Sequence, residues 1–308
     1  MFLPPAAFVA NPELLQRTWT RDESLAYTRW LATHHYENFH VVSFLLPKRL
    51  HQDFYNVYSF CRWADDLGDE IGDTGESLRL LAWWRRELQR MYAGQPAHPV
   101  FVALAETAAR HELPQETFDD LIKAFEQDQT VARYRNFPEL FQYCRYSANP
   151  VGRLVLGLCG YRDAARQELS DATCTALQLA NFWQDVIVDL EKDRVYLPLD
   201  VLDRYGYPVE DLFARRFDDR FRQAMKEVIG VAQELFLKGL PLAGKVDRRL
   251  SIDLELFSRG GLKILEKIEQ QDYNVLGSRP SISKVERVVL LLGAIGRRAL
   301  SPAYKPAA

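Results

Sequence analysis

QLANFWQDVIVDLEKDRVY, residues 178–196, is the stretch that decides the fold of this 308-residue chain. Asn181, Asp185 and Asp189 follow one another at steps of four residues, and Gln178 precedes Asn181 by three. On a helix this spacing stacks the side chains on one face, with neighbours about 5–6 Å apart. Because apolar residues fill most of the positions between them, the pattern predicts a buried helix that carries one polar stripe.

The chemistry of the stripe favours a hard metal ion. Buried carboxylates are costly unless they are paired or bind a cation, and Asn and Asp oxygens without Cys or His suit magnesium better than zinc. Magnesium usually takes one or two protein carboxylates and completes its shell with water and substrate phosphate. Lys192 and Arg194 follow closely and would hold an anion. Taken alone, the stripe leaves open a solvated acidic face or an ion-paired core helix.

A second stretch, CRWADDLGDE at residues 61–70, favours the metal site. Asp65 and Asp69 repeat the step of four residues, Asp66 lies between them, and Arg62 lies one turn earlier. Two acid-lined helices that face each other across a cavity would form a metal-filled cleft. Such a cleft suits a diphosphate.

Together, the two stretches resemble the squalene and phytoene synthase family. The residues that match the family's two motifs are Tyr58, Cys61, Arg62, Asp65, Asp66, Asp69 and Glu70, followed by Gln178, Leu179, Asn181, Asp185, Asp189, Arg194, Tyr196, Leu197 and Pro198. The resemblance implies an all-helical isoprenoid synthase fold, in which two aspartate-rich helices bind the diphosphate of a prenyl substrate through magnesium ions. We therefore expect an all-α chain with one domain over residues 1–308, including an N-terminal arm at 1–20 and a tail at 301–308.

The rest of the chain reads as helices. Periodic apolar positions, caps and breakers predict helices at 22–34, with Asp22 as N-cap, and at 48–69, 77–92, 100–111, 114–130, 173–193, 218–240, 248–270 and 283–300. Residues 136–161 predict one helix that is interrupted near Pro150 and then resumes. There is no alternating β pattern and no internal repeat, which favours about a dozen helices in one domain.

Composition excludes several classes of function. The formal net charge of −3 gives no basic surface for nucleic acid. The four cysteines are widely spaced, which argues against zinc and against a secreted disulfide framework. The N-terminus is a poor signal peptide and no apolar run reaches about 20 residues, so we expect a cytoplasmic protein. Peripheral membrane contact is a further expectation, provided that residues 285–296 expose an apolar face.

The resemblance also implies roles for single residues. Magnesium is expected on Asp65, Asp69, Asn181, Asp185 and Asp189, where it would act as a Lewis acid and template. Tyr58 joins the four aspartates as an expected catalytic residue. Diphosphate and substrate binding is expected of Lys48, Arg62, Gln178 and Arg194. The aromatic residues expected to line the hydrocarbon cavity and stabilise carbocations, although each is also typical of plain core, are Phe39, Phe44, Tyr58, Tyr143 and Phe182.

Three departures from the family narrow the reaction. Residues 35–39, HYENF, stand where many members carry a serine-rich phosphate-binding run. Gln184 stands where many members place an arginine, and residues 148–152, ANPVG, replace a run like AGxVG of the carotenoid-type members. Losing a serine cluster and a basic residue should weaken the binding of a second diphosphate.

With these departures, the chain resembles the bacterial hydroxysqualene synthase branch of the hopanoid pathway. That branch ionises one presqualene diphosphate with magnesium, rearranges the cation and captures it with water, which is carbon–oxygen lyase chemistry. The resemblance implies functional coupling to a presqualene diphosphate synthase and to a flavin-dependent reductase. Asn149 and Asn38 are the candidates for holding the water. Two alternatives stay open: a prenyltransferase that condenses two prenyl diphosphates, and a non-catalytic assembly factor of the same fold.

Overall fold

The computed structural model describes residues 2–34 and 47–300, with side chains as far as Arg297. Its helices are α1 (Pro5–Val9), α2 (Pro12–Gln16), α3 (Arg21–His34), α4 (His51–Asp69), α5 (Thr74–Tyr92), α6 (Pro99–His111), α7 (Gln115–Asp128), α8 (Phe137–Ser147), α9 (Asn149–Leu158), α10 (Ala164–Gln184), α11 (Val186–Glu191), α12 (Leu199–Arg204), α13 (Val209–Phe213), α14 (Asp219–Gly239), α15 (Arg248–Gln270) and α16 (Lys284–Leu300). Short 3₁₀ turns lie at Lys48–Leu50 and Leu240–Gly244.

The predicted all-α class is confirmed. Within the described ranges no strand forms, and a bridge between Arg133 and Val195 is the β pairing found there. The chain divides into two compact units, Met1–Thr130 with Arg153–Arg162 and Val131–Gly152 with Asp163–Ala308. The expectation of one domain over residues 1–308 stays a prediction. No helix in the described part of the chain is long and apolar enough to cross a membrane.

The first unit is built around α4, which packs against α3, α5, α6 and α7. Trp63 of α4 and Trp84 of α5 are fully buried and stack with their ring centroids 4.9 Å apart. The Trp63 indole N–H donates to the Tyr27 hydroxyl at 3.0 Å, so its polar atom is satisfied inside the core. This packing fixes the helix that carries the first acidic motif.

The second unit is built around α10, which packs against α14 and α15. Close approach depends on Gly239 at the end of α14, because a Cβ there would lie 2.1 Å from the Thr173 hydroxyl of α10. Gly261 of α15 allows a similar close approach, because a Cβ there would lie 2.1 Å from the Phe236 ring of α14. Glycine thus lets three long helices meet at short distance, and α10 carries the second acidic motif between them.

Several predicted boundaries were wrong. Residues 1–20 contain α1 and α2 where an irregular arm was expected. Helix α3 begins one residue early, and Thr20 caps it in place of Asp22, through reciprocal hydrogen bonds with Glu23. Helix α10 begins at Ala164, well before the expected position 173, and ends at Gln184. The predicted interruption between 136 and 161 is confirmed, because α8 and α9 are separated at Ala148.

Candidate active site

The first acidic motif occupies the C-terminal part of α4, and its carboxylates differ in exposure. Asp65 is 40% exposed and Asp69 is exposed, whereas Asp66 is buried. Asp65 and Asp69 lie one helical turn apart on the accessible side, as the spacing predicted. The C-terminal end of a helix dipole disfavours anions, so these carboxylates gain from nearby cations.

Arg62 is the cation that the helix itself provides. Its side chain is 9% exposed and forms an ion pair with Asp66, together with a longer contact to Asp65 at 3.3 Å. Asp66 and Arg62 therefore form a largely buried pair that packs inside the first unit. The predicted role of Arg62 in binding diphosphate stays a prediction.

Other predicted residues of the first unit lie near or within α4. Tyr58 is half-buried in the helix, and Lys48 is exposed in the 3₁₀ turn before it. Burial raises the pKa of the Cys61 thiol to about 12, and the neighbouring charge of Asp65 adds to this shift. Cys61 is therefore a neutral packing residue, not a nucleophile. The predicted positions Asn38, Phe39 and Phe44 lie outside the described residues.

The second acidic motif forms the accessible side of α10 and α11. Asn181 is exposed, and Gln178, Asp185 and Asp189 are partly exposed. The residues between them are mostly buried, among them Leu179, Phe182, Trp183, Val186 and Leu190. The sequence pattern is confirmed here: one line of amide and carboxylate oxygens opens to solvent along an otherwise buried helix.

The stripe is bent at Asp185, where the predicted continuous helix is divided. Asp185 caps the end of α10, and its backbone angles, φ −103° and ψ 15°, leave the helical range. The backbone ladder nevertheless continues, since the Asp185 N–H donates to Asn181 O at 2.8 Å and the Asp189 N–H donates to Asp185 O at 2.9 Å. The three oxygen-bearing side chains thus stay on neighbouring turns.

Arg279, which sequence reasoning missed, contacts the centre of this stripe. Its guanidinium pairs with both carboxylate oxygens of Asp185, with Nη2 to Oδ2 at 3.2 Å and Nε to Oδ1. The hydrogen bonds that Arg279 donates to Asp185 raise the pKa of Arg279 above its usual value. The signal for this residue was weak: a single arginine in the loop GSRPS, 94 positions from Asp185.

Gln184, the position where many family members carry arginine, is also engaged by this loop. Its side chain is 9% exposed, and Nε2 donates to the carbonyl oxygen of Pro280 at 2.7 Å. A buried amide with a satisfied donor needs no charge partner. Gln184 therefore helps to hold the loop that carries Arg279 in place.

An aromatic cluster lies beside the stripe. Phe182 and Tyr196 stack face to face at 3.7 Å, and Tyr143 lies 6.1 Å from Phe182 and 6.0 Å from Tyr196. Asp189 and Arg194 line a small pocket together with Phe182 and Tyr196. The predicted substrate residues Tyr143 and Arg194 thus lie in a largely buried apolar and aromatic cluster next to the second motif.

Asn149 stands at the first position of α9, where the helix resumes after its interruption. The side chain is 9% exposed, and the Thr175 hydroxyl of α10 donates to its Oδ1 at 2.9 Å. This hydrogen bond orients the amide. Asn149 is thus a buried, oriented polar group in an apolar segment.

The donor set fits magnesium better than a metal that needs a closed cage. Within residues 2–34 and 47–297, no three His, Cys, Asp or Glu side chains come together as a ready-made metal site. Magnesium does not require one, because it keeps several waters and takes one or two carboxylates plus phosphate oxygens. Accessible pairs such as Asp65 with Asp69, or Asp185 with Asp189, could supply such ligands, and Asn181 could add an amide oxygen.

The chain is similar to known proteins in sequence and in fold. The family model described as squalene/phytoene synthase matches residues 32–286. A phytoene synthase of Thermus thermophilus is 35% identical over 83% of this chain and 87% of its own, and a hydroxysqualene synthase of Rhodopseudomonas palustris is 33% identical over 85% and 89%. The crystal structure of squalene synthase HpnC from Alicyclobacillus acidocaldarius superposes with a TM-score of 0.79 at 44% identity, covering 82% of this chain and 96% of that one.

A dehydrosqualene synthase solved with a ligand shares the fold at a TM-score of 0.79 and 23% identity, covering 90% of this chain and 97% of its own. The predicted isoprenoid synthase fold is therefore confirmed. The matched region includes both acidic stretches, Cys61 to Glu70 and Gln178 to Tyr196. The chain belongs to the squalene/phytoene synthase family, a family of prenyltransferase-type synthases.

Proposed function

We propose that this protein is a hydroxysqualene synthase that acts on presqualene diphosphate. The observation that carries the proposal is the accessible stripe of Asn181, Asp185 and Asp189 along a buried helix, next to a buried aromatic cluster. Oxygen ligands beside a dry apolar surface suit the ionisation of a hydrophobic diphosphate. The similarity to a hydroxysqualene synthase and to squalene synthase HpnC supports this choice within the family.

The reaction needs no nucleophilic side chain. The bond between carbon and the bridging oxygen breaks, and the electron pair leaves with diphosphate. Magnesium, when bound, would neutralise the leaving group as a Lewis acid. Asp65, Asp69, Asn181, Asp185 and Asp189 would hold it. Arg194 would donate hydrogen bonds to the departing diphosphate, and the faces of Tyr143 and Phe182 would stabilise the cation.

Water completes the reaction. The rearranged cation gains a carbon–oxygen bond from water, which loses one proton to solvent, so the products are hydroxysqualene, diphosphate and a proton. We assign Asn149 to hold this water, because its neutral amide orients a water molecule without forming a covalent bond to the cation. Replacing Asn149 with Ala should raise the share of other products relative to the alcohol. An unchanged product ratio would remove this role.

A second candidate is a condensing synthase that joins two prenyl diphosphates. The 35% identity to a phytoene synthase favours it, since this value is as high as the identity to the hydroxysqualene synthase. Product analysis by mass spectrometry separates the two. Purified protein with magnesium and no nicotinamide is incubated with presqualene diphosphate or with farnesyl diphosphate. We expect hydroxysqualene from the first and no reaction with the second; consumption of farnesyl diphosphate would refute our choice.

Variants test the metal ligands in the same assay. Asp69→Asn and Asp189→Asn should each lower turnover by more than about 100-fold, because each removes charge that holds the metal against the leaving group. Asp203→Asn is the matched control, since Asp203 is an exposed carboxylate of α12 outside both motifs. Normal activity in a folded Asp189→Asn protein would remove that ligand from the proposal.

We also propose that α16 docks the protein on a lipid surface. Val285, Val288, Val289 and Leu292 are 73%, 55%, 63% and 63% exposed, and their spacing places them on one helical face. A contiguous apolar face of this kind marks an interaction site. Because the proposed thirty-carbon substrate is insoluble in water, contact with a membrane would bring the enzyme to its substrate.

The charges around this face favour an anionic lipid surface. Lys284 and Arg287 are exposed, whereas Glu286 pairs with Lys267 of α15 at 3.0 Å. Hydrogen bonds from Ser283 and the ion pair with Lys267 lower the pKa of Glu286 to about 2, so this acid stays bound to the protein. Basic residues beside an exposed apolar face are typical of helices that lie in a membrane interface.

Flotation with vesicles tests the docking surface. Binding to vesicles with phosphatidylglycerol should exceed binding to pure phosphatidylcholine, and Val289→Asp should abolish it. Leu237→Asp is the matched control, because Leu237 of α14 is 62% exposed but lies outside the α16 face. Equal flotation of Val289→Asp and wild type would refute a lipid partner.

A further inference from the structure

A buried hydrogen bond joins the start of α9 to α10. Helix α8 ends at Ser147 and α9 begins at Asn149, so the break between the two helices lies at Ala148. The Thr175 hydroxyl of α10 donates to Asn149 Oδ1 at 2.9 Å, and both residues are buried. The break is therefore tied to the helix that carries the second acidic motif.

The direction of this bond fixes the direction of the amide. A threonine inside a helix can satisfy its hydroxyl on the carbonyl oxygen three or four residues earlier. Thr173 does so, because its Oγ1 donates to Leu169 O at 3.2 Å. Thr175 instead donates to the neighbouring helix. Asn149 Oδ1 thus faces α10, and Nδ2, on the other branch of the planar amide, points away from Thr175.

Close packing also holds the first turn of α9 in place. A Cβ at Gly152 would lie 2.3 Å from the Ser170 hydroxyl oxygen and 2.5 Å from Cys174 Sγ, both on α10. Glycine lets the backbone of α9 approach α10 at this distance, next to the position of Thr175. The Asn149 amide is therefore held by its backbone as well as by its own hydrogen bond.

Thr175 continues the polar stripe of α10 into the core. It precedes Gln178 by three residues, so the two side chains are neighbours on one face of the helix. Asn181 is exposed, Gln178 is partly exposed and Thr175 is buried. At 1.5 Å per residue, Thr175 lies about 9 Å from Asn181 along the helix axis. Asn149 therefore lies beside the buried end of the stripe.

A second polar group at the break has no protein partner. The Ser147 hydroxyl oxygen is buried and makes no hydrogen bond within the part of the chain that the structure describes. Buried hydroxyls are normally satisfied by protein or by ordered water, and a buried water takes about two to four polar partners. Ser147 and Asn149 flank Ala148, so an amide donor and a hydroxyl acceptor occur at the same break.

We infer that the break between α8 and α9 is the site of the water that captures the cation, with Ser147 as its second partner and Thr175 as the positioning residue of Asn149. The inference rests on the proposed hydroxysqualene synthase function. Asn149 Nδ2 donates to one lone pair of the water, and the Ser147 hydroxyl accepts one of its O–H groups. The other lone pair forms the carbon–oxygen bond, and the water loses one proton to solvent.

The product ratio tests the positioning role. Purified protein with magnesium is incubated with presqualene diphosphate, and mass spectrometry compares hydroxysqualene with all other products. Thr175→Val removes the hydroxyl at similar shape and should lower this ratio about 2- to 10-fold, the range expected for one hydrogen bond between neutral groups. Thr175→Ser should keep the wild-type ratio. Thr173→Val is the matched control, because it removes a buried hydroxyl that bonds within its own helix.

A double variant shows whether Thr175 acts through Asn149. In the Asn149→Ala background, Thr175→Val should cause no further change of the ratio, because the partner amide is gone. Ser147→Ala should lower the ratio of the otherwise wild-type protein, and it tests the water site should Thr175→Val fail to fold. A variant that is only less stable loses all products in equal proportion, so its ratio stays unchanged.

The outcomes separate this inference from the proposed function. If wild type forms hydroxysqualene and Thr175→Val keeps its product ratio, or lowers it equally with and without Asn149, the positioning role is overturned. An unchanged ratio in Ser147→Ala removes Ser147 from the water site. In each of these cases the proposed function stands. If wild type forms no hydroxysqualene from presqualene diphosphate, the proposed function fails, and the inference fails with it.

Discussion

Asp66→Asn should lower the free energy of unfolding far more than substitution of Asp65 or Asp69, the other two aspartates of the motif. Asp66 and Arg62 are 4% and 9% exposed and pair with each other, so asparagine at position 66 leaves a buried guanidinium without its main counter-charge. Breaking a buried pair from one side costs about 3–5 kcal/mol. Asp65→Asn and Asp69→Asn change accessible carboxylates and should alter the free energy of unfolding by about 0.5 kcal/mol or less.

Urea unfolding followed by circular dichroism measures the difference as a shift of the midpoint at constant slope. The double variant Arg62→Met with Asp66→Leu provides the control, because it removes the buried guanidinium together with its main counter-charge and should recover most of the loss. Activity should show the opposite order, with turnover lost in Asp65→Asn and Asp69→Asn although both stay folded. If Asp66→Asn is as stable as wild type, the pair does not support the first unit as we argue.

Three further predictions concern packing, pH and ligand binding. Gly261→Ala should destabilise the protein by about 1–3 kcal/mol in urea, because the new Cβ would lie 2.1 Å from the Phe236 ring, whereas Gly260→Ala has open space and should stabilise it slightly. Burial among tryptophan rings holds the pKa of His98 well below its usual value. The contribution of His98 to the free energy of unfolding should therefore be fully present above about pH 6.5. Below that pH the free energy of unfolding should fall by up to about 1.4 kcal/mol per pH unit, a slope that His98→Gln should flatten in urea titrations at pH 5–7. Magnesium with inorganic diphosphate should raise the thermal midpoint more than either alone, and equal midpoints would contradict joint binding.

The sequence was sufficient for the acidic stripes because helical spacing determines which side chains share a face. Asp65 and Asp69, and likewise Asn181, Asp185 and Asp189, lie on the accessible sides of their helices, as the step of four residues predicted. Spacing does not determine which face the rest of the protein covers. That Asp66 is buried with Arg62 therefore became known only when α4 was packed against its neighbours.

Some missed boundaries had local signals. Asn11 followed by Pro12 is a cap before a first-turn proline, and its side chain accepts from Glu13 N at 3.1 Å. Asp163 likewise accepts from Arg166 N at 3.0 Å and caps the start of α10. Both capping residues were readable from the sequence. The division at Asp185 had no such signal, because neither proline nor glycine marks it.

Arg279 shows what a position-by-position comparison with a family leaves out. The absence of arginine at position 184 predicted a weaker site for anions. That prediction considered only neighbours within one helix, because sequence spacing does not show which residues other segments bring to the site. The fold brings the Arg279 guanidinium to the carboxylate of Asp185, 94 residues away in the sequence, and Gln184 holds the loop that carries Arg279. Arg279 thus supplies positive charge at the second motif, although the residue at position 184 is neutral. The case for a single diphosphate then depends on the replaced serine-rich run at 35–39. Incubation with farnesyl diphosphate is therefore the decisive measurement, because it reports directly on whether a second diphosphate is bound.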